Sequence, residues 1–174
     1  IAPGGTGLAP HARIEGVSIE RVPYAADAEM TLAYTGTMVE QVQRSWGKRV
    51  ALLHLMRALR SATHRALAAA TENGTPYDLV HAHWWFPAAL ALWHGASTPR
   101  VVTMHGSDVR LAQRLRPAQR LMRAVLAGCA ARTAVSSWLA NAVHAIAPQL
   151  LVDVAPMPVD TARFVPPTND AARA

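Results

Sequence analysis

The chain has 174 residues, 51% of them hydrophobic and 16% charged, with 17 Lys+Arg against 11 Asp+Glu for a net charge of +6. The length fits one domain, and the composition supports a buried core and excludes wholesale disorder. No stretch approaches the roughly 18 unbroken apolar residues of a membrane span, and a single cysteine excludes an internal disulfide framework and fits a reducing compartment.

Ile1-Ala2 reads as a strand remnant, followed by a glycine-rich turn at Gly4-Gly5-Thr6-Gly7. With no helix after it, that turn is a weak phosphate cradle. The opening residues have neither the basic nor the apolar region of a signal peptide, and a start on Ile1 points to a piece of something longer. Residues 17–22 alternate apolar and polar as a half-buried strand does. From Val50 the positions Val50, Leu53, Met56, Leu59, Thr63, Leu67 and Ala70 follow helical spacing, and Asn73-Gly74 ends the run. Residues 78–83 form a short strand, and 87–94 a short helix with Pro87 in its first turn and Gly95 as its cap. A strand at 100–104 ends at His105-Gly106-Ser107-Asp108. A helix at 117–130 and a strand at 132–135 come next. Ser136-Ser137 N-caps a helix over 138–147, and a last strand at 150–155 leads into Pro156-Met157-Pro158-Val159-Asp160.

After Gly74 the order is therefore β-α-β-α-β-α-β with short connections. That predicts an α/β fold, a Rossmann-like parallel sheet with helices on both faces. Ligands of such sheets sit at the carboxyl ends of the strands. His81 and His83, the 105–108 turn, Ser136-Ser137 and residues 157–160 all fall there.

The 105–108 turn is the sharpest local feature. Gly106 permits a tight turn, which leaves an imidazole and a carboxylate at the mouth of the sheet. The plainer alternative is a turn whose Asp108 caps the next helix. His81 and His83 point to the same side of a strand. With His105 or Asp108 on the neighbouring strand they suggest a metal site, and with His105 a metal-dependent hydrolase; the plainer alternative is that both rings pack and hydrogen-bond at the strand end. Trp84, Trp85, Phe86 and Trp93 suit either a sugar-stacking platform or core packing. Cys129, late in an apolar helix, reads as an inert structural thiol.

Two segments are purely basic. One carries Arg44, Lys48, Arg49, Arg57, Arg60 and Arg65, the other Arg110, Arg114, Arg116, Arg120, Arg123 and Arg132. They raise a nucleic-acid-binding module as a third function class, although no aromatic-basic interleaving accompanies them. In the first, the segment Trp46 to Leu67 reads as an amphipathic helix, with Arg49, Arg57, Arg60 and His64 expected on one face and Val50, Leu53, Met56 and Leu59 on another. Such a helix can lie against anionic lipid or simply cover a sheet.

Asp78-Leu-Val-His-Ala-His83, Val101-Val-Thr-Met-His-Gly-Ser-Asp108, Thr133-Ala-Val-Ser-Ser137 and Val154-Ala-Pro-Met-Pro-Val-Asp160 with Arg163-Phe164 occur in one order and spacing. Together they resemble the N-terminal half of a family-4 glycosyltransferase. The resemblance implies one half of a GT-B architecture, whose two Rossmann-like domains face each other across a cleft. The N-terminal domain takes the acceptor, a sugar or a lipid-linked sugar. The C-terminal domain takes a nucleotide-sugar such as a UDP- or GDP-sugar. Transfer retains the anomeric configuration and needs no metal or other cofactor. His105 matches the family's active-site histidine and is the candidate catalytic residue. Gly106, Asp108 and Ser136 match positions around it, and His83 joins them as a substrate-binding candidate.

The implied boundaries are a domain over 1–165 and the start of a linker over 166–174. The family's first strand and glycine loop would precede Ile1, and its donor domain would follow. Such a piece is expected to be inactive alone, and the whole enzyme to be cytoplasmic, with peripheral contact at an anionic inner membrane face. The usual Pro-Asn-Gly-Val-Asp hinge stands here as Pro156-Met-Pro-Val-Asp160, without its Asn-Gly.

Overall fold

In the computed structural model, which describes residues 1–35, 38–93 and 97–164, the chain forms two β-sheets wrapped by five α-helices among those residues. The first sheet comprises β1 (Ala2–Pro3), β2 (His11–Ile14) and β3 (Val17–Val22) in the order β1-β3-β2. β2 and β3 make an antiparallel hairpin in which Ile14 faces Val17. Its two-residue turn, Glu15-Gly16, has φ of 49° and 85°, as a right-twisted hairpin requires. β1 runs parallel to β3. Helices α1 (Met38–Arg44) and α2 (Trp46–Glu72) follow.

The second sheet carries β4 (Val80–His83), β5 (Arg100–Met104), β6 (Ala131–Ala134) and β7 (Asp153–Val154), all parallel and in sequence order. Between them lie a wide helical turn at Trp85–Ala89 and helices α3 (Ser107–Arg114), α4 (Arg116–Ala127) and α5 (Ser137–Ile146). The α/β architecture is the one the element order predicted. The expected helix over 87–94 is present only as that wide turn and the residues just after it. His94, Gly95 and the 166–174 segment lie outside the described residues.

Alternation sorts the parallel strands' side chains. Ala82, Val102, Met104 and Ala134 form the larger core with Val109 and Ala112 of α3, Met122, Val125 and Leu126 of α4, and Leu139 and Val143 of α5. His81, His83, Thr103 and Thr133 take the other side, in keeping with the two-residue period of a strand. A second core joins Val22, Tyr24, Met30 and Leu32 to Leu52, Leu55, Leu59 and Ala62 of α2. A groove of about 440 Å³, lined by residues of both sheets and of α2, includes Ile1, Ile19, Leu67 and Leu79. Arg100 and Arg132 turn inward. Arg100 donates to the carbonyls of Leu92, Trp93 and Gly128, and Arg132 to those of Leu126 and Cys129. They therefore do not belong to the solvated basic surface.

The stripe expected on α2 needs correction. The helix begins at Trp46, with Ser45 as N-cap accepting from the Lys48 amide. Its buried residues are Ala51, Leu52, Leu55, Leu59 and Ala62, whereas Val50 and Leu53 are exposed. At 3.6 residues per turn, positions 46, 50, 53, 57, 60 and 64 fall on one line, so Val50 and Leu53 share the arginines' face instead of opposing it. The glycine-rich turn is structural. A Cβ at Gly4 would sit 2.7 Å from the Met30 sulfur, one at Gly5 2.7 Å from the Tyr34 ring, and the Gly7 amide faces the Asp27 carboxylate.

Candidate functional site

β4 and β5 end side by side, with His83 paired to Thr103 in register. Beyond them the chain turns at Gly106, whose φ of 125° and ψ of −53° lie outside the range of side-chain-bearing residues. A Cβ there would meet nothing within 4 Å, so conformation alone demands the glycine. The turn feeds directly into α3, a helix that the turn suggests in sequence but whose range the chain order of elements does not give. Eight residues with three charges, one of them on buried Asp108, give too little periodicity to announce a helix.

Asp108 holds the turn together. Its carboxylate accepts from the Gly106 amide at 3.0 Å and from the Trp85 amide at 3.1 Å, while the Trp85 indole donates to the Asp108 carbonyl at 2.7 Å. Trp85 is 1% exposed and Asp108 3%. Burial raises the Asp108 carboxyl above its usual range, against the opposing pull of the backbone amides. What surrounds Asp108 is thus backbone and indole, a clamp between two loops, and not the open end of the sheet.

On the solvent side of this clamp stand three imidazoles and an indole. His83 Nδ1 lies 2.9 Å from His105 Nε2, a direct hydrogen bond between rings. His81 stacks on His83 with centroids 4.6 Å apart. His81 Nε2 lies 2.7 Å from the Thr103 hydroxyl, itself 2.7 Å from the Thr133 hydroxyl. Burial, with His81 and His105 alongside, pushes His83 below the ordinary histidine range. The Trp84 ring rests 4.8 Å from the His105 ring and is 42% exposed. Trp84 has φ of 68°, a conformation that a tryptophan adopts only under constraint.

The tryptophan cluster therefore divides. Trp85 is core, and Trp84 is a strained, exposed ring beside the histidines. Ser136 stands where the sequence places it, at the end of β6, and there it N-caps α5 by accepting from the Leu139 amide at 3.3 Å. Since Met104 pairs with Ala134, Gly106 and Ser136 leave the sheet at the same level. The three histidines do not converge as metal ligands. Two of their facing nitrogens are bonded to each other and a third to Thr103. Among the described residues no group of three His, Cys, Asp or Glu side chains could hold a metal ion. The metal-dependent hydrolase reading thus loses its ligand set. Cys129 is buried, its thiol raised by burial and set 3.4 Å from the Val125 carbonyl, consistent with an inert structural role.

A parallel sheet with a glycine-turned histidine at its carboxyl end is a Rossmann-like arrangement. The chain matches glycosyltransferase family 4 over residues 2–163 and belongs to that family, so it is a glycosyltransferase domain, and the family's substrates are a sugar donor and an acceptor. No curated protein matches the chain significantly. Among the described residues, no helix is long and apolar enough to cross a membrane.

Proposed function

We propose that this chain is the acceptor-side domain of a retaining glycosyltransferase. Its donor is a nucleotide-sugar such as a UDP- or GDP-sugar, and transfer takes place in a cleft closed by a second, donor-binding domain. The observation that carries this reading is the His105 turn. Asp108 and Trp85 clamp it from behind, so one imidazole is presented at the end of a parallel sheet with little freedom to move. Fixed orientation of this kind lowers a transfer barrier more than a mobile side chain can. In this reading His105 faces the reacting sugar, Gly106 shapes the turn, and Ser136 lines the neighbouring strand end. Trp84 offers an aromatic face to a sugar ring of the acceptor. With donor and acceptor held on different domains, the domain alone performs no transfer.

The acceptor, a sugar or a lipid-linked sugar, is met at the cytoplasmic face of an anionic membrane. The exposed face of α2 supports this, with Trp46 74% and Leu53 55% exposed on the same side as Arg57 and Arg60. Replacing His105→Ala in the complete enzyme should lower turnover about 10²- to 10⁴-fold with an unchanged fold, as measured by transfer of a radiolabelled sugar. Undiminished turnover removes His105 from the reacting centre.

A further inference from the structure

We infer that His83 is a positioning residue that fixes which nitrogen of His105 is bare, and that the pair thereby presents His105 Nδ1 as a hydrogen-bond acceptor for a substrate hydroxyl. The functional half of this inference rests on the reading of His105 given above.

The argument starts from the 2.9 Å contact between His83 Nδ1 and His105 Nε2. A neutral imidazole carries one N–H, and its other nitrogen is an acceptor. Two facing ring nitrogens bond only when one of them is protonated and the other bare. The Nε2–H form is the ordinary tautomer of a neutral histidine. Only one assignment gives both rings that form: His105 Nε2–H donates to a bare His83 Nδ1. His105 Nδ1 is then bare and has no protein hydrogen bond among the described residues, whereas His83 Nε2 carries the hydrogen on its far side.

The surroundings hold this arrangement at neutral pH. The titratable groups facing His83 are His81, stacked 4.6 Å away, and His105; both disfavour a positive charge on it. Asp108, the nearest carboxylate in sequence, is turned inward onto the Gly106 and Trp85 amides. Trp84 lies against the His105 ring on the remaining side. Protonating His83 at Nδ1 would set N–H against N–H and break the bond. The depressed affinity of His83 for that proton therefore delays the break to a more acid pH. Tautomer control of this kind is how a neighbouring acceptor ordinarily tunes a functional imidazole.

Nitrogen NMR of the ¹⁵N-histidine-labelled 174-residue chain tests the assignment, with His105→Gln used to identify the His105 signals. At pH 7, His105 should show a single Nε2–H tautomer with a bare Nδ1. His83→Ala should replace it with averaged shifts of two exchanging tautomers. His83→Asn, whose amide oxygen can stand where Nδ1 stood, should restore the single form. A protonated Nδ1 in the wild type, or an unchanged single tautomer in His83→Ala, overturns the inference. In the complete enzyme, turnover should fall in His83→Ala and recover in His83→Asn, and equal loss in both overturns it as well. The nitrogen spectrum is read without turnover. An active His105→Ala enzyme therefore strikes down the functional reading and leaves the tautomer result to be judged alone.

Discussion

Asp108 is ionisable, yet its carboxyl has only backbone amides as partners, because the fold buries it between two loops. An asparagine there would keep one acceptor and turn an NH2 toward either the Gly106 or the Trp85 amide. Leaving one buried amide unpaired costs about 1–3 kcal/mol, so Asp108→Asn should lower the denaturant midpoint by a corresponding amount. An unchanged midpoint would mean that both amides find other partners. The pH dependence has a definite sign. With its folded affinity for protons raised, Asp108 favours the fold most in acid, and that contribution is lost as pH rises through its titration. The His105 turn was legible in sequence because Gly and its neighbours are adjacent. The Asp108 clamp was not, because Trp85 lies 23 residues away and nothing local pairs them. The cap reading of Asp108 and the cleft reading both looked only along the chain.

At the scale of the element, α2 shows how a stripe can be misread. The apolar spacing from Val50 was real, but it tracked the exposed side at its N-terminal end. The buried side uses Ala51, Leu52, Leu55 and Ala62, and alanines give a weak signal. Its start at Trp46 agrees with the amphipathic segment read from the sequence. The resulting surface sets Trp46, Val50 and Leu53 in line with Arg57, and Arg49 lies 5.7 Å over the Trp46 ring. In the proposed membrane contact, apolar insertion and attraction to anionic headgroups would act on one face. Co-sedimentation with vesicles containing anionic lipid should be strong at low salt, fall with added salt, and weaken markedly in Leu53→Glu. Equal binding to neutral vesicles, or none to anionic ones, removes the membrane contact. Strands β4 to β6 were legible within about two residues at each end because β-branched and alanine-rich runs sit between helical ones. The His11–Ile14 strand was not, since half its four residues are charged or titratable.

The described residues form two hydrophobic cores, and the chain segment that leaves β4 is common to both. Ala89 belongs to the core of the parallel sheet and Ala91 to that of the small sheet, while Phe86, partly buried, packs against each. Sequence order alone showed the parallel sheet. It showed β3 over 17–22 and a strand remnant at Ile1-Ala2, but not β2, their pairing into a second sheet or the second core, because residues 1–35 carry few long apolar runs. A shared segment of this kind governs cooperativity. If the two cores melt as one, the calorimetric and van't Hoff enthalpies agree, and if they melt separately, they do not. Phe86→Ala removes a ring that touches both sides, so it should split a single thermal transition into two, with the small-sheet half melting first. A single sharp transition in that variant would locate the coupling elsewhere. The same ring lies three residues from His83 and next to Trp85, which holds the Asp108 turn. Loosening of the small-sheet core would therefore reach the histidines through Phe86, so that the packing of one core is felt at the site carried by the other.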